Sequence, residues 1–191
     1  MGMWTRGDLP DVNIYLEGRF SGKSITITDE IGIPVHVIDF MANNLIKLHK
    51  EVDLKDFLDS VHVLHANSKF GKEATYAGNP EGRSGCYLLD HKVIALIIDP
   101  LDADAKVVSH DYEYGYEYLG WEERLILIFG HEFCHFLQHN QLGDNVQKTK
   151  EEKEGQAYDY SLRILEAYRE YLGRDENYWD NLENLLYLRR R

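Results

Sequence analysis

Cysteine is nearly absent from this chain: Cys86 and Cys134 are the only two among 191 residues. Two thiols make no disulfide framework, so a packed core has to hold the fold together. Cys134 reads as a buried thiol. Proline is equally scarce, at four residues, and no repeat or low-complexity linker divides the chain. Long apolar runs are missing as well. The longest aliphatic stretch, Val93–Ile98, falls far short of the roughly 20 residues that cross a bilayer. The first residues, Met1 to Arg6, hold no apolar signal region, and Arg6 stands where a myristoylation motif has Ser or Thr. Basic charge is in deficit: 21 Lys+Arg face 33 Asp+Glu, a formal net charge of −12. That balance argues against nucleic acid and against an anionic membrane surface as partners. Arg189 to Arg191 read as the basic end of a helix. These absences predict a cytoplasmic protein with no nucleic-acid or membrane partner.

What is present is enough apolar material for a core, 43% hydrophobic and 12% aromatic, in a length suited to one domain over 1–191. Alternating or β-rich stretches predict strands at Asp11–Glu17, Ser24–Thr28 and Val61–Ala66. Pro34 opens a helix with Val35, Ile38, Leu45, Ile46 and Leu48 on its apolar face. Gly71–Gly85, rich in Gly, Asn and Pro, reads as loop. Cys86–Leu89 and Lys92–Ile98 read as a hairpin turning at Asp90-His91. Its second strand lacks polar alternation, as expected of one covered on both faces. His110–Leu119 alternates Tyr and acid and reads as an exposed strand or a loop. Helices then follow at Trp121–His139, Lys150–Leu172 (stopped by Gly173) and Asp175–Arg190. The expected class is α+β, with a sheet-bearing part over 1–119 and a helical part over 120–191.

The chemistry concentrates in His131-Glu132-Phe133-Cys134-His135. Histidines four apart share one face of a helix, where both imidazoles reach a single metal ion. The intervening glutamate sits beside them, placed to take a proton from a metal-activated water. Leu125 to Phe129 before the motif, and Phe136 and Leu137 after it, make this helix apolar on nearly every side, hence buried. Burying two histidines and a glutamate without partners costs several kcal/mol, and a metal would be such a partner.

A catalytic zinc site usually has three protein ligands. The metzincin pattern does not supply the third here, because Gln138 and Gln141 occupy its Gly and His positions. His139 lies two helical turns, roughly 12 Å, from His131 on a straight helix, and reads as a polar neighbour. Glutamates on the next helix remain: Glu151, Glu152 and Glu154. On a helical wheel, Ala157, Tyr158, Ser161, Leu165, Tyr168 and Leu172 fall within about 60° of Glu154. Glu152 falls among the solvated residues and Glu151 at the stripe's margin near a frayed end. Glu154 is therefore the inward-facing acid and the expected third ligand.

With HExxH on one helix and Glu154 on the next, 19 residues beyond His135, the chain resembles the gluzincin peptidases. The strings HEFCHFLQH (131–139) and EKEGQAYDYS (152–161) are similar to those of the compact ImmA/IrrE-like and minigluzincin-type members. Tyr158 stands where gluzincins often carry an Asp, and Gly155 where the ImmA/IrrE group has Ala. The resemblance implies a zincin-like fold, in which a small mixed or antiparallel sheet precedes the metal helix. It also implies an edge strand that pairs with an extended peptide or protein substrate; Lys92–Ile98 and Cys86–Leu89 are the candidates.

The expected activity is zinc-dependent peptide-bond hydrolysis, with His131, His135 and Glu154 as ligands and Glu132 as general base. His110, Tyr112, Tyr114, Tyr116, Tyr118 and Tyr158 are open candidates for a donor to the oxyanion. The alternatives are a catalytically silent or latent metal-stabilised binding protein, with 110–119 as a plug, and a metal-free interaction domain using the acidic surface. Oligomeric state is open; Trp179, Leu182, Leu185 and Leu186 mark a side of the last helix fit to pack on the domain or on a partner.

Overall fold

The structure, a computed structural model, describes residues 11–15, 24–51, 54, 57–76, 84–88, 92–100, 107–108, 116–117, 120–142 and 149–173. Its main sheet has five strands: β1 (Asp11–Tyr15), β2 (Ser24–Asp29), β3 (Ser60–His65), β4 (Gly85–Leu88) and β5 (Val93–Ile98), in the order β1-β2-β3-β5-β4. β1 pairs antiparallel to β2, β2–β3 and β3–β5 are parallel, and β4 pairs antiparallel to β5 as the hairpin pattern predicts. Two short strands, β6 (Val107–Val108) and β7 (Tyr116–Glu117), form a separate antiparallel pair. β7 falls within the Tyr/acid segment 110–119, whose remaining residues lie outside the described set. The class is α+β, as expected.

Strand periodicity decides the core. Ile25 and Ile27, Val61 and Val63, and Ile94, Leu96 and Ile98 point to one face and join a single apolar cluster with the helices. The opposite face carries Leu64, Ala95, Ile97 and Cys86 in a smaller cluster. β5 is therefore buried at all six positions, which is why its sequence shows no alternation.

The first parallel crossover runs through α1 (Val35–Glu51). The Asp29 carboxylate accepts from the backbone N–H of Ile31, Gly32 and Ile33 and so fixes the chain's entry to that helix. Val37, Phe40, Met41 and Leu45 form its buried face. Of the residues read as its apolar face, Val35 is exposed and Ile38 and Leu48 are half-buried, so the true face is rotated toward Val37 and Met41.

The loop expected over 71–85 is corrected in part, for Lys69–Tyr76 is a helix, α2. Ser68 Oγ accepts from Gly71 N at 2.9 Å, as a helix N-cap does. Gly71 serves packing there, not flexibility: a Cβ on it would lie 1.9 Å from the His65 carbonyl oxygen. Residues 77–83 lie outside the described set.

Two helices complete the described fold, α3 (Gly120–His139) and α4 (Lys150–Tyr171). Thr149 and Glu152 form a reciprocal capping box at the start of α4, which accounts for Glu152 without any role at a metal. Gly173 follows the helix, as predicted. The helices meet closely at Gly130, where an added Cβ would lie 2.9 Å from Ser161 Cα and 3.2 Å from Ile164 Cβ. A partly buried ion pair joins them further along, Arg169 Nη2 to Glu123 Oε2 at 3.0 Å. No described helix is long and apolar enough to cross a membrane. The helix expected over 175–190 lies outside the described residues.

Candidate metal centre

α3 is buried on most of its circumference, with Leu125, Ile126, Phe129, Phe133 and Phe136 in the core. That burial fixes its rotation and leaves His131 and His135 on the side that meets α4. Their rings meet edge to face with centroids 4.7 Å apart, and the two Nε2 atoms lie 3.1 Å apart. Glu154 enters from α4: Oε2 is 3.4 Å from His131 Nε2 and Oε1 is 3.3 Å from His135 Nε2. The three residues chosen from sequence form one group whose donor atoms lie within 4.8 Å of one another. Among the described residues no other His/Cys/Asp/Glu group of this kind occurs. Glu151 and Glu152 are exposed and stand outside it.

The protonation pattern follows from the neighbours. Gln138 Nε2 lies 3.0 Å from the Lys153 carbonyl oxygen, which only accepts. The orientation of the amide is thereby set, with its Oε1 facing His135 Nδ1 at 2.8 Å. Nδ1 must donate to it, so His135 turns the lone pair of Nε2 toward His131 and Glu154. Burial, with His135 as the second cause, lowers the pKa of His131 from 6.5 to about 4, and at neutral pH its imidazole is uncharged. Two imidazole nitrogens and a carboxylate thus converge, a donor set that a cation would join.

The spacing fits such an ion. Metal–donor bonds of about 2.0–2.1 Å in a tetrahedron set the ligand atoms about 3.3 Å apart; the two Nε2 atoms are 3.1 Å apart, and Glu154 meets each with a different oxygen, at 3.4 and 3.3 Å. Glu154 is itself only partly buried, so one side of the group is open to small molecules.

Glu132, on the same helix as the ligand pair, is buried. Edge strand β4 crosses it at Gly85, where an added Cβ would lie 2.6 Å from Glu132 Cγ and 3.0 Å from its Oε1. Only a glycine admits this approach. Of the two candidate edge strands, β4 lies at the sheet's edge and β5 is interior.

Tyr158 packs edge to face on His131, centroids 5.0 Å apart. The side chains of the other oxyanion-donor candidates lie outside the described residues. His139 is exposed and outside the ligand group, with its ring 5.9 Å from Tyr87. Its pKa is lowered by partial burial, then by His135 and Lys153. Cys134 is buried, as read from sequence.

Sequence reasoning passed over Gln138, noted only as a departure from the metzincin pattern. Its i+3 spacing from His135 was a usable signal, since residues three apart share a helix face. Gly85 and Gly130 carry no such signal, because their partners lie far away in sequence. Set against family models, curated proteins and solved structures, the chain finds no match in any of the three.

Proposed function

We propose that this protein is a zinc-dependent metallopeptidase, with His131, His135 and Glu154 as ligands and Glu132 as the group that moves the proton. The observation that carries this reading is the convergence of His131, His135 and Glu154, whose donor atoms lie within 4.8 Å of one another, beside a buried glutamate on the same helix as the histidines. Two imidazoles and one carboxylate are a donor set that catalytic zinc takes, and the HExxH pattern favours that ion here. Bound there, the ion supplies Lewis acidity to a water molecule and to a substrate carbonyl.

The chain's own residues do the rest. His131 and His135 would hold the ion, the first kept uncharged by burial and the second oriented by Gln138. Glu132 accepts the proton of the attacking water and delivers it to the leaving amine. Gly85 keeps the β4 backbone against Glu132, which limits where that carboxylate swings. β4 exposes one edge of the main sheet, a place for an extended peptide to add as a further strand.

The test is Glu132→Gln. Zinc content should stay at one per chain, and hydrolysis of an unfolded-protein substrate should fall by about 10²–10⁴-fold, the usual contribution of general acid–base catalysis. Unchanged turnover would remove Glu132 from the mechanism. Full zinc occupancy with no hydrolysis of any protein by the wild type would favour a metal-stabilised binding protein.

A further inference from the structure

The Gln138 side chain is buried and makes contacts in three directions. Its Oε1 accepts from His135 Nδ1 at 2.8 Å. Its amide nitrogen donates to the Lys153 carbonyl at 3.0 Å and to Gln156 Oε1 at 2.9 Å, with Cys134 Sγ a weaker acceptor at 3.6 Å. Two N–H bonds and one carbonyl are thus all engaged. The Lys153 carbonyl belongs to the peptide unit that joins Lys153 to Glu154. One primary amide therefore ties the ring of a ligand on α3 to the backbone at the root of the ligand on α4.

We propose that Gln138 is the positioning residue of the metal centre, holding His135 in the tautomer that frees Nε2 and locking that choice to the placement of Glu154. This rests on the reading that His131, His135 and Glu154 hold a metal. A histidine able to take either tautomer presents an N–H to the site part of the time, and an N–H binds no metal. Outer hydrogen bonds of this kind set ring orientation and ligand basicity. Tyr158, one turn beyond Glu154, meets His131 through its ring, so the oxygen acceptor seen on His135 comes from the metal helix itself. The arrangement couples two events. Metal binding needs α4 in place, and the grip on Lys153 holds α4 where Glu154 reaches the pair.

The test uses full-length protein, zinc alone as the probe, and two variants. Long-range proton–nitrogen NMR of the metal-free wild type should show His135 protonated on Nδ1. Gln138→Met removes the acceptor at nearly constant size; His135 should then populate both tautomers and zinc affinity should fall about 10–100-fold. Gln138→Glu keeps an acceptor on Nδ1 but loses both N–H bonds to α4, so the tautomer should persist and affinity should fall clearly less than in Gln138→Met. Circular dichroism of each metal-free variant checks folding. A metal-free wild type with the proton on Nε2 overturns the proposal without recourse to any variant. So does an equal loss in both variants, which would make Gln138 merely a packing residue. A wild type that binds no zinc defeats the metal reading itself, whatever the tautomer measured.

Discussion

Gly130→Ala is the perturbation whose outcome separates local from tertiary effects most sharply. Gly130 lies mid-helix in α3, where alanine alone should add about 0.8–1.0 kcal/mol of helix stability. The structure predicts the opposite sign. The new Cβ would sit 2.9 Å from Ser161 Cα, against the 3.4 Å at which ordinary contact begins, and 3.2 Å from Ile164 Cβ. The obstacle is backbone, which cannot rotate aside as a side-chain tip does, so α3 and α4 must part by about 0.5 Å. Overpacking of this kind costs about 1–3 kcal/mol, enough to cancel the propensity gain and leave a net loss of up to about 2 kcal/mol. The same displacement acts on the site, because Glu154 is carried by α4 and both histidines by α3. Metal sites accept ligand displacements of only about 0.2 Å, so zinc affinity should fall as well. Urea unfolding of the metal-free protein measures the first effect, and competition with a chromophoric chelator the second. A variant about 1 kcal/mol more stable, with unaltered zinc affinity, would refute the close packing of the helices.

Gly85→Ala should displace Glu132, whose Cγ would lie 2.6 Å from the new methyl; hydrolysis should drop at least tenfold with zinc content unchanged, and equal turnover would contradict the predicted displacement. Arg169→Met removes the guanidinium from the Glu123 carboxylate, 1% exposed, and should destabilise the fold by about 1–3 kcal/mol in urea titration; a loss below about 0.5 kcal/mol would mean the carboxylate is not held as described. His131 gives the metal-free protein a pH dependence of known sign. Its folded pKa of about 4 lies below the ordinary 6.5, so the unfolded chain binds the extra proton first. Stability should hold above pH 6.5 and decline between 6.5 and 4, by about 3 kcal/mol at most. His131→Gln should flatten that decline, and identical pH slopes in the two proteins would discount the buried neutral ring.

Much of this was legible along the chain. His131, Glu132 and His135 are neighbours on one helix, and helical geometry brings them together in any fold that keeps α3. Glu154 was singled out by periodicity, because a charge in line with Ala157, Ser161, Leu165 and Tyr168 has to face whatever those residues face. β5 announced itself by its unbroken apolar run, and the end of α4 by Gly173. The helix at Lys69–Tyr76 was missed, because Gly71 reads as a breaker until the His65 carbonyl is found where its Cβ would be. The apolar face of α1 was also displaced, since the wheel does not say which flank the sheet covers.

The sequence by itself thus determined the grouping of His131, His135 and Glu154 and the α+β class, for these depend on periods of two and 3.6 residues that any stretch carries locally. Only the tertiary structure decided which bare nitrogen faces which oxygen. Contacts between Gln138 and Lys153, Gly130 and Ser161, and Gly85 and Glu132 join residues 15, 31 and 47 positions apart. No local pattern encodes such pairs; they arise when two helices and a sheet edge bury their apolar faces against one another and bring those backbones within reach.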